Sequence, residues 1–182
     1  TVRAYSEAKD VLAEAGIHTP IICVNGAEAR TPEGEIVSTN PIAISLGRDL
    51  ARILDKHDIY FEIYTQNGTY SKDYDKAIAT IMDVFMSASN DNDYDKVLKA
   101  AQERMEDGNV KMVDSFDPIL QDESKVIYKL LAFSMDKENL EAARSELLEL
   151  GTVAVSSSGK DNLEITSVDA QKGIALTTFT QE

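Results

Sequence analysis

The sequence predicts a mixed α/β protein, an α+β layer in which a β-sheet carries helices on one face. Segments of strand character and segments of helical periodicity alternate along all 182 residues. From residue 59 onward their order is strand, helices, strand, helix, strand, strand. Composition agrees, because 43% hydrophobic and 27% charged residues supply a core and exclude pervasive disorder. The length fits either one large domain or two modest ones.

The first helix covers residues 2–15, where Ala4, Ala8, Val11, Leu12 and Ala15 share one face and Gly16 supplies a C-terminal stop. Residues 20–27 follow as a strand. Ile21-Ile22-Cys23-Val24 is a continuous apolar run, and Asn25-Gly26 offers the positive φ of a sharp turn. Arg30-Thr31-Pro32-Glu33-Gly34-Glu35 then breaks the chain before Ile36-Val37 resumes extension, a hairpin signal. Ser45 is placed to cap a second helix whose Leu46, Leu50, Ile53 and Leu54 share a face and which ends near His57. Residues 59–64 alternate and are rich in β-branched and aromatic types, and Asn67-Gly68 turns them into Thr69-Tyr70.

Two acidic amphipathic helices come next. One runs through Ala77, Ile78, Ile81, Met82 and Phe85, the other through Tyr94, Val97, Leu98, Ala101 and Met105, closed by Gly108. Residues 110–113 fit a short strand or an irregular connection. Residues 126–133 read as a central strand. Asp136 caps a helix facing inward through Leu140, Ala143, Leu147 and Leu150 and stopped by Gly151. Val153-Ala154-Val155 and Leu163-Glu164-Ile165 form a strand pair around a Ser- and Gly-containing turn, and a further helix begins after Lys172-Gly173.

Charge and cysteine usage narrow the function classes. Eighteen Lys+Arg against 32 Asp+Glu give a formal net charge of −14, which repels phosphodiester backbones and anionic membranes at long range. Neither nucleic acid nor membrane is an expected partner, and no apolar run approaches the roughly 20 residues of a membrane span. A small anionic substrate stays compatible, since a local cluster of donors overcomes a diffuse field at contact distance. The single cysteine, Cys23, excludes an internal disulfide and a multi-cysteine zinc site. It reads as a small core residue, and the expected setting is cytoplasmic. The sequence does not specify an oligomeric state.

Local motifs carry little chemistry by themselves. Asp91, Asp93 and Asp95 resemble the start of a calcium loop, but the sixth and twelfth positions hold Lys96 and Gln102 instead of Gly and Glu. A solvated linker with a helix cap fits better. His18 follows a helix stop and His57 ends a helix, and neither has a catalytic triad or metal-site context. Ser156-Ser157-Ser158-Gly159-Lys160 has the composition of an anion nest without the spacing of a phosphate loop, so a hairpin turn is the plainer reading. Lys172-Gly173, before a helix start, is suited to a phosphoryl oxygen or is simply a solvated turn.

Several segments, in order and spacing, resemble the haloacid dehalogenase-like phosphatases of the Cof type, which carry a large inserted cap. Thr1-Val2-Arg3 resembles the family's Thr-Gly-Arg, and residues 21–27 resemble its strand ending in Asn-Gly-Ala. Ile63-Tyr64-Thr65 with Asn67-Gly68-Thr69-Tyr70, then residues 126–130, Leu163-Glu164-Ile165-Thr166 and Lys172-Gly173-Ile174-Ala175-Leu176, are similar to its cap strands and the return to the core. The resemblance implies phosphoryl transfer by an aspartate nucleophile, with a second aspartate as acid and base and Mg²⁺ screening the charge. It implies catalytic roles for Thr1, on a phosphoryl oxygen, and Lys172, on the nucleophile and phosphoryl group, with Arg3, Asn25 and Gly26 as substrate-binding residues near the entrance. Val2 departs from the family's glycine.

The family's Asp-x-Asp-Gly-Thr nucleophile segment is expected before Thr1 and its Gly-Asp-x-x-Asn-Asp metal segment after Glu182, so no metal ligand is expected within the chain. The resulting division is a partial Rossmann-like core at residues 1–26, a cap at 27–168 and a partial return to the core at 169–182. The implied activity is a Mg²⁺-dependent phosphatase of small phosphorylated metabolites, such as a sugar phosphate or a flavin-type phosphate. These 182 residues would be a fragment supplying the specificity cap, inactive alone. The alternative is a non-catalytic α/β binding or interaction module.

Overall fold

The structure, a computed structural model, describes residues 1, 3–88 and 93–170. It opens with α1 (Tyr5–Glu14), β1 (Ile21–Cys23), β2 (Glu28–Arg30) and β3 (Ile36–Thr39). These strands form a three-stranded antiparallel sheet in the order β1-β2-β3. The strand expected over residues 20–27 therefore ends at Cys23. Val24, Asn25 and Gly26 have φ of 45°, 62° and 105°, a left-handed run that no extended strand accommodates, and it folds β2 back onto β1. Hydrogen bonding thus carries the first sheet to Thr39, beyond Asn25-Gly26.

A second, six-stranded sheet holds the rest. Its strands are β4 (Tyr60–Thr65), β5 (Gly68–Ser71), β6 (Val110–Met112), β7 (Ile127–Phe133), β8 (Val153–Ser156) and β9 (Asn162–Ser167), in the order β6-β5-β4-β7-β9-β8. All pairs are antiparallel except β5 with β6. A parallel pair needs a crossover, supplied by α3 (Tyr74–Ala88) and α4 (Tyr94–Glu106). The remaining helices are α2 (Ile44–Lys56), α5 (Asp117–Leu120) and α6 (Lys137–Glu149). The segment expected at 110–113 forms a strand over Val110–Met112, and β7 lies at the centre with all seven residues buried.

Strand alternation assigns the two faces. On one face, Phe61, Ile63, Leu130, Ala132 and Ile165 pack with Leu50 and Leu54 of α2 and with Ala143 and Leu147 of α6. Gly47 of α2 sits so close to β7 that a Cβ would lie 3.1 Å from Ile127 Cδ1. On the opposite face, Tyr60 and Phe133 pack with Ala77 and Ile81 of α3 and with Ala101 and Met105 of α4. The fold class is the mixed α/β expected, but the helical layer is two-sided, because an apolar patch at Tyr60, Phe133 and Leu131 remains for α3 and α4 to cover. Periodicity identifies an apolar face without saying which side of a sheet it meets.

Caps behave as the sequence indicates at two of three sites. The Asp136 carboxylate accepts from the amides of Glu138 and Asn139 at 3.0 and 3.1 Å, and that of Asp93 accepts from Lys96 N. Ser45 is not a cap. The helix begins two residues earlier than a Ser45 cap would place it, at Ile44 after Ala43, with no side-chain cap, and Ile44 is buried in its first turn.

Candidate functional site

Thr1 and Arg3 lie along the end of β1. Asn25 N donates to Thr1 O at 2.9 Å, and Val24 N donates to Arg3 O at 3.0 Å. Arg3 N donates in turn to Thr1 Oγ1 at 3.2 Å. Four of the five residues singled out in the sequence, Thr1, Arg3, Asn25 and Gly26, thus meet in one corner. Lys172 lies outside the described residues, as do Val2 and Asp91. The Asn25 side chain is buried, and its Nδ2 donates to Glu164 Oε2 on β9. The corner is thereby tied to the six-stranded sheet.

The sheet face covered by α3 and α4 is polar at its centre. Glu62 of β4 lies opposite Leu131 of β7, which lies opposite Glu164; one pair along, Tyr64 faces Lys129 and Lys129 faces Thr166. Lys129, only 2% exposed, places Nζ 3.8 Å from Glu164 Oε1 and 4.4 Å from the centre of the Tyr64 ring. Tyr60 OH donates to Glu62 Oε1 at 3.1 Å and lies 2.6 Å from Ser71 Oγ. Arg104 of α4 donates through Nη1 to Glu7 of α1 at 2.7 Å. Its Nε is shielded from solvent and has no hydrogen-bond partner among the described residues, and the same is true of Asn25 Oδ1.

Burial dominates the electrostatics of this layer. It pushes the Glu62 carboxyl up to about 7 against the opposing pull of Arg104, Tyr60 and Lys129. It pulls the Lys129 ammonium below its ordinary range, with Glu164 opposing. The Tyr64 phenol is raised first by burial and then by Glu62. Cys23 is a core residue, its thiol pushed up to about 11 by burial and by Glu28, so it has none of the thiolate character of a nucleophile.

Between this face and α3–α4 lies a cavity of about 130 Å³. Tyr64, Lys129, Leu131 and Glu164 line it from the sheet, and Ile81, Val84 and Phe85 of α3 line it from above. Arg104 and the exposed Arg3 complete the lining. The arrangement offers fixed cationic donors and acidic acceptors beside an apolar wall, which suits binding and orientation of a small polar molecule. Among the described residues, no group of three or more His, Cys, Asp or Glu side chains converges as a metal site. No chemical step is therefore assigned to Mg²⁺ at these residues.

The β8–β9 turn combines both readings of its sequence. It is a hairpin turn, and it cradles a carboxylate from within the protein. Asp83 of α3 accepts from Lys160 N at 3.1 Å, Asp161 N at 3.3 Å and Asn162 Nδ2 at 2.7 Å. Gly159 packs directly against the Asp83 carboxylate and the Asn162 amide, leaving no room for a Cβ. Elsewhere His57 caps α2, and its Nε2 lies 2.8 Å from Glu146 Oε2.

Glu62, Lys129, Glu164 and Arg104 were not among the residues that sequence motifs single out. The available signal was one charged residue inside each of three otherwise apolar or β-branched strands, as in Tyr-Phe-Glu-Ile-Tyr-Thr and Ile-Tyr-Lys-Leu-Leu-Ala-Phe. A charge in the middle of a strand buried on both faces must find partners on neighbouring strands.

The chain belongs to the haloacid dehalogenase-like hydrolase family, which it matches over residues 1–182. It is 30% identical over 178 residues to 5-amino-6-(5-phospho-D-ribitylamino)uracil phosphatase YwtE of Bacillus subtilis, covering 97% of this chain and 61% of the relative. Phosphatase YwpJ of the same organism is 28% identical over 178 residues, covering 97% and 62%. The chain spans about three fifths of the length of these curated relatives. A solved haloacid dehalogenase-like hydrolase from B. subtilis superposes with a TM-score of 0.90 at 27% identity, covering all of this chain and 64% of that one. No helix among the described residues is long and apolar enough to cross a membrane.

Proposed function

We propose that this chain supplies the substrate-sorting cap and flanking parts of the catalytic core of a cytoplasmic, Mg²⁺-dependent phosphatase. Its substrate is a small phosphorylated metabolite, such as a sugar phosphate or a flavin-type phosphate. The relative named for 5-amino-6-(5-phospho-D-ribitylamino)uracil makes that ester a first candidate to assay. Residues 1–26 and 169–182 belong to the core in this reading and residues 27–168 to the cap. The Thr1 hydroxyl and the Lys172 ammonium hold phosphoryl oxygens, while Arg3, Asn25 and Gly26 border the entrance. Mg²⁺ would screen phosphoryl charge, held by ligands other than the described residues.

The observation that carries this reading is the hydrogen-bonded corner of Thr1, Arg3 and Asn25, joined through Asn25 to Glu164 on the polar face. That link supports a reading in which the phosphoryl group sits at the corner and the leaving group extends over the polar face. The test is phosphate release from p-nitrophenyl phosphate. The whole protein with Mg²⁺ turns it over, Thr1→Ala lowers the rate, and residues 1–182 alone give none. Turnover by residues 1–182 alone, or none by the whole protein, overturns the reading.

A further inference from the structure

We infer that Glu164 is a positioning residue for phosphoryl transfer: from the six-stranded sheet it acts through Asn25 to fix the backbone that holds Thr1. The role rests on the phosphatase reading above, in which the Thr1 hydroxyl holds a phosphoryl oxygen.

The corner needs an anchor from outside itself. Val24 and Asn25 have φ of 45° and 62°, a left-handed pair that persists only where the surroundings over-determine it, above all at a β-branched residue. The amides of this pair are the groups that hold Thr1 and Arg3, since Val24 N donates to Arg3 O and Asn25 N donates to Thr1 O. Thr1 N donates in turn to Ile22 O at 2.7 Å. A rotation of the Val24–Asn25 turn therefore carries Thr1 with it. The bond from Ala27 N to Val24 O at 3.0 Å closes the turn but does not set its tilt against the larger sheet.

Glu164 sets that tilt. The Asn25 side chain is buried, and its Nδ2 donates to Glu164 Oε2. Glu164 is itself buried on β9, opposite Leu131 of β7 on one side and Ser156 of β8 on the other. Its carboxylate thus stands on a paired strand and not on a loop, which is the more rigid support. The other oxygen, Oε1, lies 3.8 Å from Lys129 Nζ, so the carboxylate is held at both ends. A hydrogen bond to a charged acceptor is about twice as strong as one between neutral groups, and a misplacement of about 1 Å costs about a hundredfold in rate. Glu164 also lines the cavity beneath α3 and α4, so direct contact with the leaving group is the competing role. Positioning the corner affects every substrate alike, whereas a leaving-group contact does not.

The experiment measures kcat and KM of the whole protein with Mg²⁺ for p-nitrophenyl phosphate, phenyl phosphate and acetyl phosphate, which share the phosphoryl group and differ in the leaving group. One variant is Glu164→Leu with Lys129→Met, because replacing both members of a buried ion pair by apolar residues is often neutral or stabilising, while the acceptor for Asn25 is lost. Its kcat falls about ten- to hundred-fold, by the same factor for all three compounds. Asn25→Gly, in which glycine suits the positive φ, removes the same hydrogen bond from the other end and lowers kcat alike. It also covers the case in which the double variant fails to fold. Added to the double variant, Asn25→Gly brings no further loss, since both changes act on one bond. A loss confined to KM that differs between leaving groups makes Glu164 a leaving-group contact and overturns the proposal, as do losses that multiply or a kcat equal to wild type. If the wild-type protein hydrolyses none of the three compounds, the phosphatase reading fails separately. Amide hydrogen exchange then decides the positioning role: faster exchange at Val24 and Asn25 in the double variant upholds it, and unchanged exchange there overturns it.

Discussion

Replacing Glu62 with Gln isolates the electrostatic cost of the buried layer. Glutamine keeps an acceptor for the Tyr60 hydroxyl, which donates to Glu62 at 3.1 Å, and removes only the titration. Burial raises this carboxyl from 4.5 to about 7, so the folded state holds the proton more tightly than the unfolded chain. That contribution is fully present below the unfolded value and is lost as pH rises through the folded one. At about 1.4 kcal/mol per pH unit, the wild type forfeits about 3 kcal/mol between pH 4.5 and pH 8 that the Gln variant keeps. Urea denaturation of the whole protein across that range measures it. The Glu62→Gln variant is expected to gain about 3 kcal/mol relative to wild type on going to pH 8. Parallel stability curves for the two proteins would refute the reasoning.

The Lys129–Glu164 pair calls for a double-mutant cycle. Glu164→Gln removes the buried carboxylate 3.8 Å from the ammonium and is expected to cost about 3–5 kcal/mol, whereas the double variant with Lys129→Met recovers part of that loss; additive single effects would show that the pair is uncoupled. Gly159→Ala drives a methyl into the Asp83 carboxylate and lowers stability by about 1–3 kcal/mol, so an unchanged Tm contradicts the packing of the β8–β9 turn. Cys23, fully buried with its thiol raised to about 11, reacts with a thiol reagent at pH 8 only on unfolding. Labelling of the native protein would disprove its burial.

Element type was legible wherever periodicity and punctuation agreed. Asp136 and Gly151 bracket α6, Asn67-Gly68 turns β4 into β5, and the apolar run at residues 126–133 occupies the central position. Boundaries failed where tertiary demands outweighed local chemistry, as at Ser45, overruled by the burial of Ile44, and at Val24, a β-branched residue held at φ 45° by the fold-back of β2. The Thr1, Arg3 and Asn25-Gly26 corner was legible only through family resemblance. The charged layer was not, because Glu62, Lys129, Glu164 and Arg104 come from four distant segments. Only the register of three strands and the crossing of α4 bring them together.

The central position of β7 also constrains the order of assembly. The β4–β5 and β8–β9 hairpins close locally, but β7 pairs with β4 across the whole α3–α4 excursion and with β9 across α6. Long closures come late when their contacts are needed to repay chain entropy. Lys129 meets Glu164 only once β7 has entered its slot, so the desolvation of this layer is deferred to the final insertion. Substitutions there are therefore expected to alter the unfolding rate and leave the folding rate nearly untouched, with φ-values near zero in a chevron analysis. The charged layer then acts as a late kinetic lock on a sheet whose hairpins have already formed.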